Sequence, residues 1–363
     1  MRIAQVPPLS ESVPPKLYGG TERVVSWLSE ELIALGHDVT LFASGDSVTR
    51  GRLVPIVPRA LRLSRPRPEP LPAFALQLDA VAEAARNFDI IHCHGEWVHL
   101  PLLNRLGVAH VTTIHNRLDT PDLPAVLARF RQAPLISISD HHRAPVPSAN
   151  WLGTVYHGMP PDVLTPSYAP GNYLAFLGRL TRDKGPDVAI RLAKAAGQPL
   201  RMAAKIPRSE TRYYKEQLQP SIDGEQIKLL GELNDNNKGD LLRGASALLF
   251  PIDWPEPFGL VMIEAMACGT PVIAFRRGSV PEVIDDGISG FVVENEDEAV
   301  AAIKRLGELD RRRVRAAFEE RFTAKKMAQN YIHYYETLLS QRHAQPQKAL
   351  RAHIEAQSSQ HPG

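Results

Sequence analysis

Cysteine is scarce in this sequence: Cys93 and Cys268 are the only two among 363 residues, and each lies inside an apolar run. That speaks against a disulfide-stapled scaffold and fits buried, reduced thiols in a cytoplasmic protein. Long apolar runs are missing too. None approaches the roughly 18 residues needed to cross a bilayer, so an integral membrane protein is not expected. The opening MRIAQVPP has neither the length nor the apolar segment of a secretory signal. Charge of one sign is also lacking, since 42 basic and 40 acidic residues leave a formal charge of +2. Nucleic acid is therefore not an expected partner. The local exception is the stretch from Arg50 to Arg67, whose arginines suit an anionic acceptor or weak peripheral contact with the inner face of a membrane. Its scattered prolines prevent an amphipathic helix, which favours a solubilising loop.

What the chain does have is alternation. Short apolar runs take turns with amphipathic stretches, the pattern of a parallel sheet covered by helices. RIAQV, DVTLFAS, DIIHCH, HVTTIH, LISIS and GTVYHG read as strands of a first half, with a helix over TERVVSWLSEELIALG that Thr21 can cap. Pro55 to Pro72 reads as an irregular excursion. After the proline-bearing connector PPDVLTPSYAPGN, a second series follows: YLAFLGR, LRMAAKI, IKLLGEL, ASALLFPI and PVIAF as strands, DVAIRLAKAAG and DEAVAAIKRL as helices. The reading is an α/β protein of two Rossmann-like halves, residues 1–165 and 166–330. A closing helix over 331–342 returns to the first half, and 343–363 form a polar tail.

One stretch, WPEPFGLVMIEAMACGTPV at residues 254–272, contains a conflict. Phe258 to Cys268 reads as an apolar helix closed by Gly269, and a helix apolar nearly all round is normally buried. Yet Glu264 sits inside it, with Glu256 seven intervening residues earlier. A buried carboxylate is costly unless something satisfies it.

In open parallel sheets, ligands bind outside the carboxyl ends of the strands. There FLGRLTRDKG puts Arg179 at a strand end and Lys184 in the next loop, while LLFPIDWPEPFGL brings Glu256 and the helix start at Gly259 to the same rim. Two cations and free backbone N–H groups suit a diphosphate. The acids suit hydroxyls, Glu264 those of a ribose and Glu256 those of a sugar. Singly, Arg179 and Lys184 read more simply as a solvated rim, and Glu264 as a carboxylate paired to a loop's N–H groups. The four together favour a ligand.

RLTRDKG, EPFGLVMIEAMACGTPVIA and GSVPEVIDDGISGFVV resemble the donor-binding half of the retaining glycosyltransferases of family 4, which have the GT-B fold. The Glu-seven-Glu spacing is that family's signature. The resemblance spans most of the chain and is strongest from Tyr173 to Val293. It implies that Arg179 and Lys184 hold the donor diphosphate, that Glu256 contacts the transferred sugar and that Glu264 holds the ribose. Backbone amides of Phe258, Gly259 and Leu260 would border the sugar and phosphates. LLGEL matches the loop that touches the nucleobase, which makes Glu232 and Leu233 candidates. RRGSV departs from the paired glycines that relatives carry.

In the first half, Gly19 and Gly20 precede a helix, where in relatives a glycine loop lies against the phosphates and the acceptor. His115 ends a strand as the family's active-site histidine does. His92 and His94 flank Cys93 and are expected on opposite faces, which argues against their chelating one metal ion; no metal site is expected. His94 reads as an acceptor-side contact, and Asp140 and His141 as solvated loop polarity at the cleft.

The resemblance implies a retaining transfer of a hexose from a UDP- or GDP-linked sugar to an acceptor hydroxyl, with no obligatory cofactor. His115, Arg179, Lys184 and Glu256 would carry the chemistry. The alternatives are a nucleotide-sugar epimerase on the same architecture or a non-catalytic sugar-nucleotide-binding protein. A dinucleotide oxidoreductase is disfavoured because neither half opens with G-x-G-x-x-G after its first strand.

Overall fold

The computed structural model describes residues 1–16 and 19–358, the side chains of Asn236 and of residues 343–358 excepted. Two wholly parallel sheets carry the chain. The first contains β1 (Arg2–Val6), β2 (Asp38–Ala43), β3 (Arg52–Pro55), β4 (Ile90–Cys93), β5 (His110–Thr113), β6 (Leu135–Ser137) and β7 (Trp151–Thr154), in the order β3-β2-β1-β4-β5-β6-β7. The second contains β8 (Leu174–Arg179), β9 (Leu200–Lys205), β10 (Ile227–Gly231), β11 (Ala247–Phe250), β12 (Val272–Phe275) and β13 (Gly290–Val293), in the order β10-β9-β8-β11-β12-β13. Runs such as IIHC and ALLF are buried along their whole length, because helices cover both faces of a parallel sheet.

The strand order sets the positions of everything that follows. Order reverses between β1 and β4 in one sheet and between β8 and β11 in the other, so a crevice opens beyond the carboxyl ends of each pair. Beyond β1 and β4 come the loop toward Gly19 and His94. Beyond β8 and β11 come Arg179 and the segment 251–259.

Several elements differ from the sequence reading. The arginine excursion begins as a strand: β3 runs parallel to β2, pairing Leu41 with Leu53. Two arginines of that stretch pair with acids while staying exposed themselves, Arg50 with Glu30 at 2.6 Å and Arg62 with Glu11 at 3.3 Å. The strand expected over GTVYHG lies two residues earlier, and GFVV is a strand that its glycine neighbours disguised. Helix Gly20–Ala34 starts at Gly19 without a side-chain cap, and Thr21 lies inside its first turn. Helix Arg311–Arg321 was unforeseen, since its charge masks a buried face. There Arg311 donates to the carbonyls of Ser167, Ala245 and Arg243, and Arg315 to those of Leu164, Pro161 and Ala267. Both guanidiniums thus bind backbone groups of the connector and of the second half.

The last helix, Ala324–Ser358, is far longer than the expected closing helix. Met327, Ala328, Tyr331 and Tyr335 bury against Ile3, Val24, Leu28 and Val111, so it completes the core of the first half. The polar tail expected from residue 343 is helical in its backbone as far as Ser358, and 359–363 lie outside the described residues.

Candidate active site

The rim of the second half is built by glycines that let loops meet. Gly185 has φ +64°, and a β-carbon there would lie 2.1 Å from the carbonyl oxygen of Pro251. The loop after β8 is therefore pressed onto the loop after β11. That contact brings Lys184 to Glu256, to which it donates a hydrogen bond within an ion pair. The same ammonium lies 4.5 Å from the ring centroid of Trp254, and Arg117 of the first half lies 5.6 Å from that ring. Gly278, with φ +57°, fixes Glu256 from the other side: a β-carbon would sit 2.3 Å from the Glu256 carbonyl oxygen, which accepts from Ser279 N at 2.9 Å.

Arg179 closes β8 on the same rim. Its Nε is buried with no hydrogen-bond partner, as are the Thr181 hydroxyl and the indole N–H of Trp254. Buried donors without acceptors are costly, and here several belong to one loop system.

The helix expected from Phe258 begins at Leu260, because Gly259 turns the chain with φ +80°. Phe258 packs outside the helix, 4.9 Å from the ring of His157, which stacks on His115 at 5.1 Å and 18°. This row of rings joins the two halves. Polar contacts do the same: Ser139 Oγ donates to Pro257 O at 2.7 Å, and the N–H groups of Asp140 and His141 donate to the Glu282 carboxylate at 2.6 and 2.7 Å. Asp140 and His141 therefore tie the halves through their backbone, while both residues stay exposed as solvated loop polarity requires. Gly20 faces the same helix start, with 3.7 Å between an ideal β-carbon there and Leu260 Cδ1.

Glu264 lies in the second turn of its helix and is 5% exposed. Its partner is an ammonium rather than a loop's N–H groups: Lys238 Nζ lies 2.5 Å from Oε1. Nothing in the sequence pattern singled out Lys238, which is 26 residues away.

The histidines depart from expectation. Residues two apart on a strand share a face, so His92 and His94 lie on the same side, ring centroids 3.9 Å apart. His92 bonds Tyr335 OH at 2.7 Å and Thr113 Oγ1 at 2.9 Å, so it is a core residue. His94, expected at the acceptor side, is buried. It bonds Gln5 Oε1 at 2.7 Å and His115 Nε2 at 3.0 Å, and so supports His115 from behind. Burial pushes the His115 imidazole down to about 3 and those of His92, His94 and His157 well below the usual histidine range. His115 is thus a neutral ring, with its Nδ1 buried and unpartnered. His157 was missed by the sequence reading, which took it for the end of a strand.

Glu232 stands apart from this cluster, 3.7 Å from Lys205 and well exposed, and Leu233 packs against the core of the second half. Among the described residues no group of three His, Cys, Asp or Glu side chains is arranged to hold a metal ion.

Comparison with known proteins follows the same division into halves. A family model described as glycosyl transferases group 1 matches residues 165–325, and one described as glycosyltransferase family 4 matches residues 18–145. A phosphatidyl-myo-inositol mannosyltransferase of Mycolicibacterium smegmatis is 27% identical over 371 residues, covering 93% of this chain and 90% of that protein. Among solved structures, AviGT4, a glycosyltransferase involved in avilamycin A biosynthesis, superposes with a TM-score of 0.70 at 23% identity, covering 93% of this chain and 98% of the other. Anabaena HepE in complex with UDP-glucose does so with a TM-score of 0.68 at 18% identity, covering 93% and 100%.

Proposed function

The chain belongs to glycosyltransferase family 4 with the GT-B fold, and from that premise we propose that it moves a hexose from a nucleoside diphosphate sugar to an acceptor hydroxyl with retention at the anomeric carbon. The observation that carries this reading is the rim where Arg179 leaves a buried Nε unpartnered while Lys184 pairs with Glu256. A diphosphate would give that guanidinium the acceptors it lacks and would share Lys184. The start of helix Leu260–Ala267 adds backbone N–H groups and a favourable dipole. The UDP-glucose held by the HepE structure and the inositol lipid named for the mannosyltransferase relative support a nucleotide-sugar donor and a hydroxyl acceptor.

Glu256 and Glu264 are each held in an ion pair with a lysine. That engagement disfavours a covalent glycosyl intermediate on either. It favours attack from the face the leaving diphosphate vacates, with the departing phosphate oxygen taking the acceptor's proton. Arg179 and Lys184 stabilise the charge that builds on that diphosphate. His115, neutral and in contact with His157, offers Nδ1 to a sugar hydroxyl. Contact between the halves excludes water, which would otherwise compete as acceptor.

The test is a thermal-shift screen of UDP-, GDP- and ADP-sugars, since a ligand at 100 times its Kd stabilises by about 2.7 kcal/mol. One nucleotide series is expected to raise the melting temperature. If none does, the donor assignment is wrong; binding with no release of free nucleoside diphosphate in the presence of candidate acceptors would favour a non-catalytic binding protein.

A further inference from the structure

Glu264 is the end of a chain of charges that crosses between the halves. Lys238 Nζ lies 2.5 Å from Glu264 Oε1 and 3.1 Å from Asp235 Oδ1. Asp235 Oδ2 lies 2.6 Å from the guanidinium of Arg23, on helix Gly20–Ala34 of the first half. The signs alternate along the row. Asn234 caps the helix that bears Asp235 and Lys238, its side chain accepting from Asn237 N at 3.0 Å, so both charged groups stand on a fixed turn.

Lys238 keeps only 12% of its side-chain accessibility, and Glu264 6%. Burial lowers the Lys238 ammonium, but the Glu264 and Asp235 carboxylates outweigh it and hold the group above the ordinary lysine value. A charge buried this deeply without its partner is strongly destabilising, so the pair is a fixed part of the site. An ionised carboxylate has about four acceptor positions, and Lys238 occupies one of them on Oε1. The remainder suffice for a vicinal diol.

Lys238 is shared between two carboxylates, and Arg23 decides the division. With Arg23 on Asp235, that carboxylate is compensated and the ammonium belongs to Glu264. With the halves apart, Asp235 would lose this contact with Arg23 and would compete with Glu264 for Lys238. We propose that Lys238 is the positioning residue of the donor pocket: it fixes the Glu264 carboxylate for the ribose diol and, through Asp235 and Arg23, couples seating of the nucleotide to closure of the two halves. This rests on the assignment of Glu264 to the ribose made above. Coupling of this kind is reciprocal, so closure tightens ribose binding and ribose binding favours closure.

The experiment is calorimetric titration of the full chain with UDP and GDP and with their 2′,3′-dideoxy analogues. For the nucleotide that binds, the parent is expected to prefer the ribose form by ~10-fold or more, the scale of one or two charge-assisted hydrogen bonds. Lys238→Met is expected to reduce that preference to within ~2-fold while leaving the dideoxy affinity in place. Glu264→Gln should do the same, and adding Lys238→Met to it should change nothing further, because the lysine acts through that carboxylate. The double variant also removes both buried charges together, which protects the test from misfolding. Arg23→Gln should weaken the ribose form ~3- to 10-fold and spare the dideoxy form. A full ribose preference in Lys238→Met, with its loss in Glu264→Gln, overturns the role of Lys238 and leaves Glu264 on the ribose. No preference in the parent overturns the ribose assignment itself, and parental affinities in Arg23→Gln overturn the link to closure.

Discussion

Lys184 and Glu256 are 72 residues apart in sequence and form a hydrogen-bonded ion pair on the rim of the second half, where the lysine also lies against the Trp254 ring. Each holds the other in place before a ligand arrives. A donor diphosphate would draw the ammonium and leave Glu256 to the sugar hydroxyls, so the pair presents both groups at once.

Removing either partner should lower transfer sharply without unfolding the protein. Glu256→Gln and Lys184→Ala are each expected to lower kcat by ~10²- to 10³-fold, the scale seen when one preorganised group that stabilises developing charge is lost. The measurement is turnover with the donor that the thermal screen identifies, beside a urea melt of each variant. Parental turnover in either variant would remove that residue from the chemistry.

Arg179 should show opposite effects on stability and binding. Its buried Nε has no acceptor, so the free protein bears a cost that a bound diphosphate would remove. Arg179→Met is expected to leave the melting temperature unchanged or raise it, and to weaken nucleoside diphosphate binding by ~10- to 100-fold. A marked drop in the melting temperature would mean that Arg179 serves the fold instead.

Gly278→Ala tests whether backbone geometry aims Glu256. With φ at +57° and the Glu256 backbone in the space a methyl would take, alanine must push that segment aside. The expected cost is ~1–3 kcal/mol in urea unfolding, with activity falling further than stability. Full activity with the stability loss would show that the glycine serves the fold alone.

The buried histidines predict acid lability. Those of His99 and His115 are pushed down to about 3, and those of His92, His94 and His157 well below the ordinary value of 6.5, all chiefly by burial. Folded-state values below the unfolded value mean that the unfolded chain binds more protons as pH falls through about 6.5, so the stability these rings permit near neutrality is lost progressively below it. Urea unfolding at pH 7.5, 6.5 and 5.5 is expected to show a steep decline over the last step. A flat profile there would mean these rings are not held neutral. Activity should show no ionisation of His115 above pH 5.

Much of this architecture was legible because parallel strands buried on both faces must be continuous apolar runs, and RIAQV, LISIS and PVIAF are such runs. The strand at Arg52–Pro55 was not legible, since an edge position tolerates the prolines and arginines that otherwise mark a loop. Helix Arg311–Arg321 was hidden for a related reason: its buried face is made partly of guanidiniums that bind carbonyls, so hydropathy gives no sign of burial. The faces of His92 and His94 could have been read correctly from the strand's two-residue period alone.

The sequence by itself determined the two-sheet architecture and marked Arg179, Lys184, Glu256 and Glu264 as candidates, because strand periodicity and the spacing of those four residues are local properties of the chain. Only the tertiary structure decided what those groups touch. Lys238, Asp235 and Arg23 come to Glu264 from another helix and the other half, and His157 links His115 to Phe258 across the same boundary. Ion pairs and ring stacks are set by distances of a few ångströms between segments far apart in sequence, and no pattern along one segment encodes them.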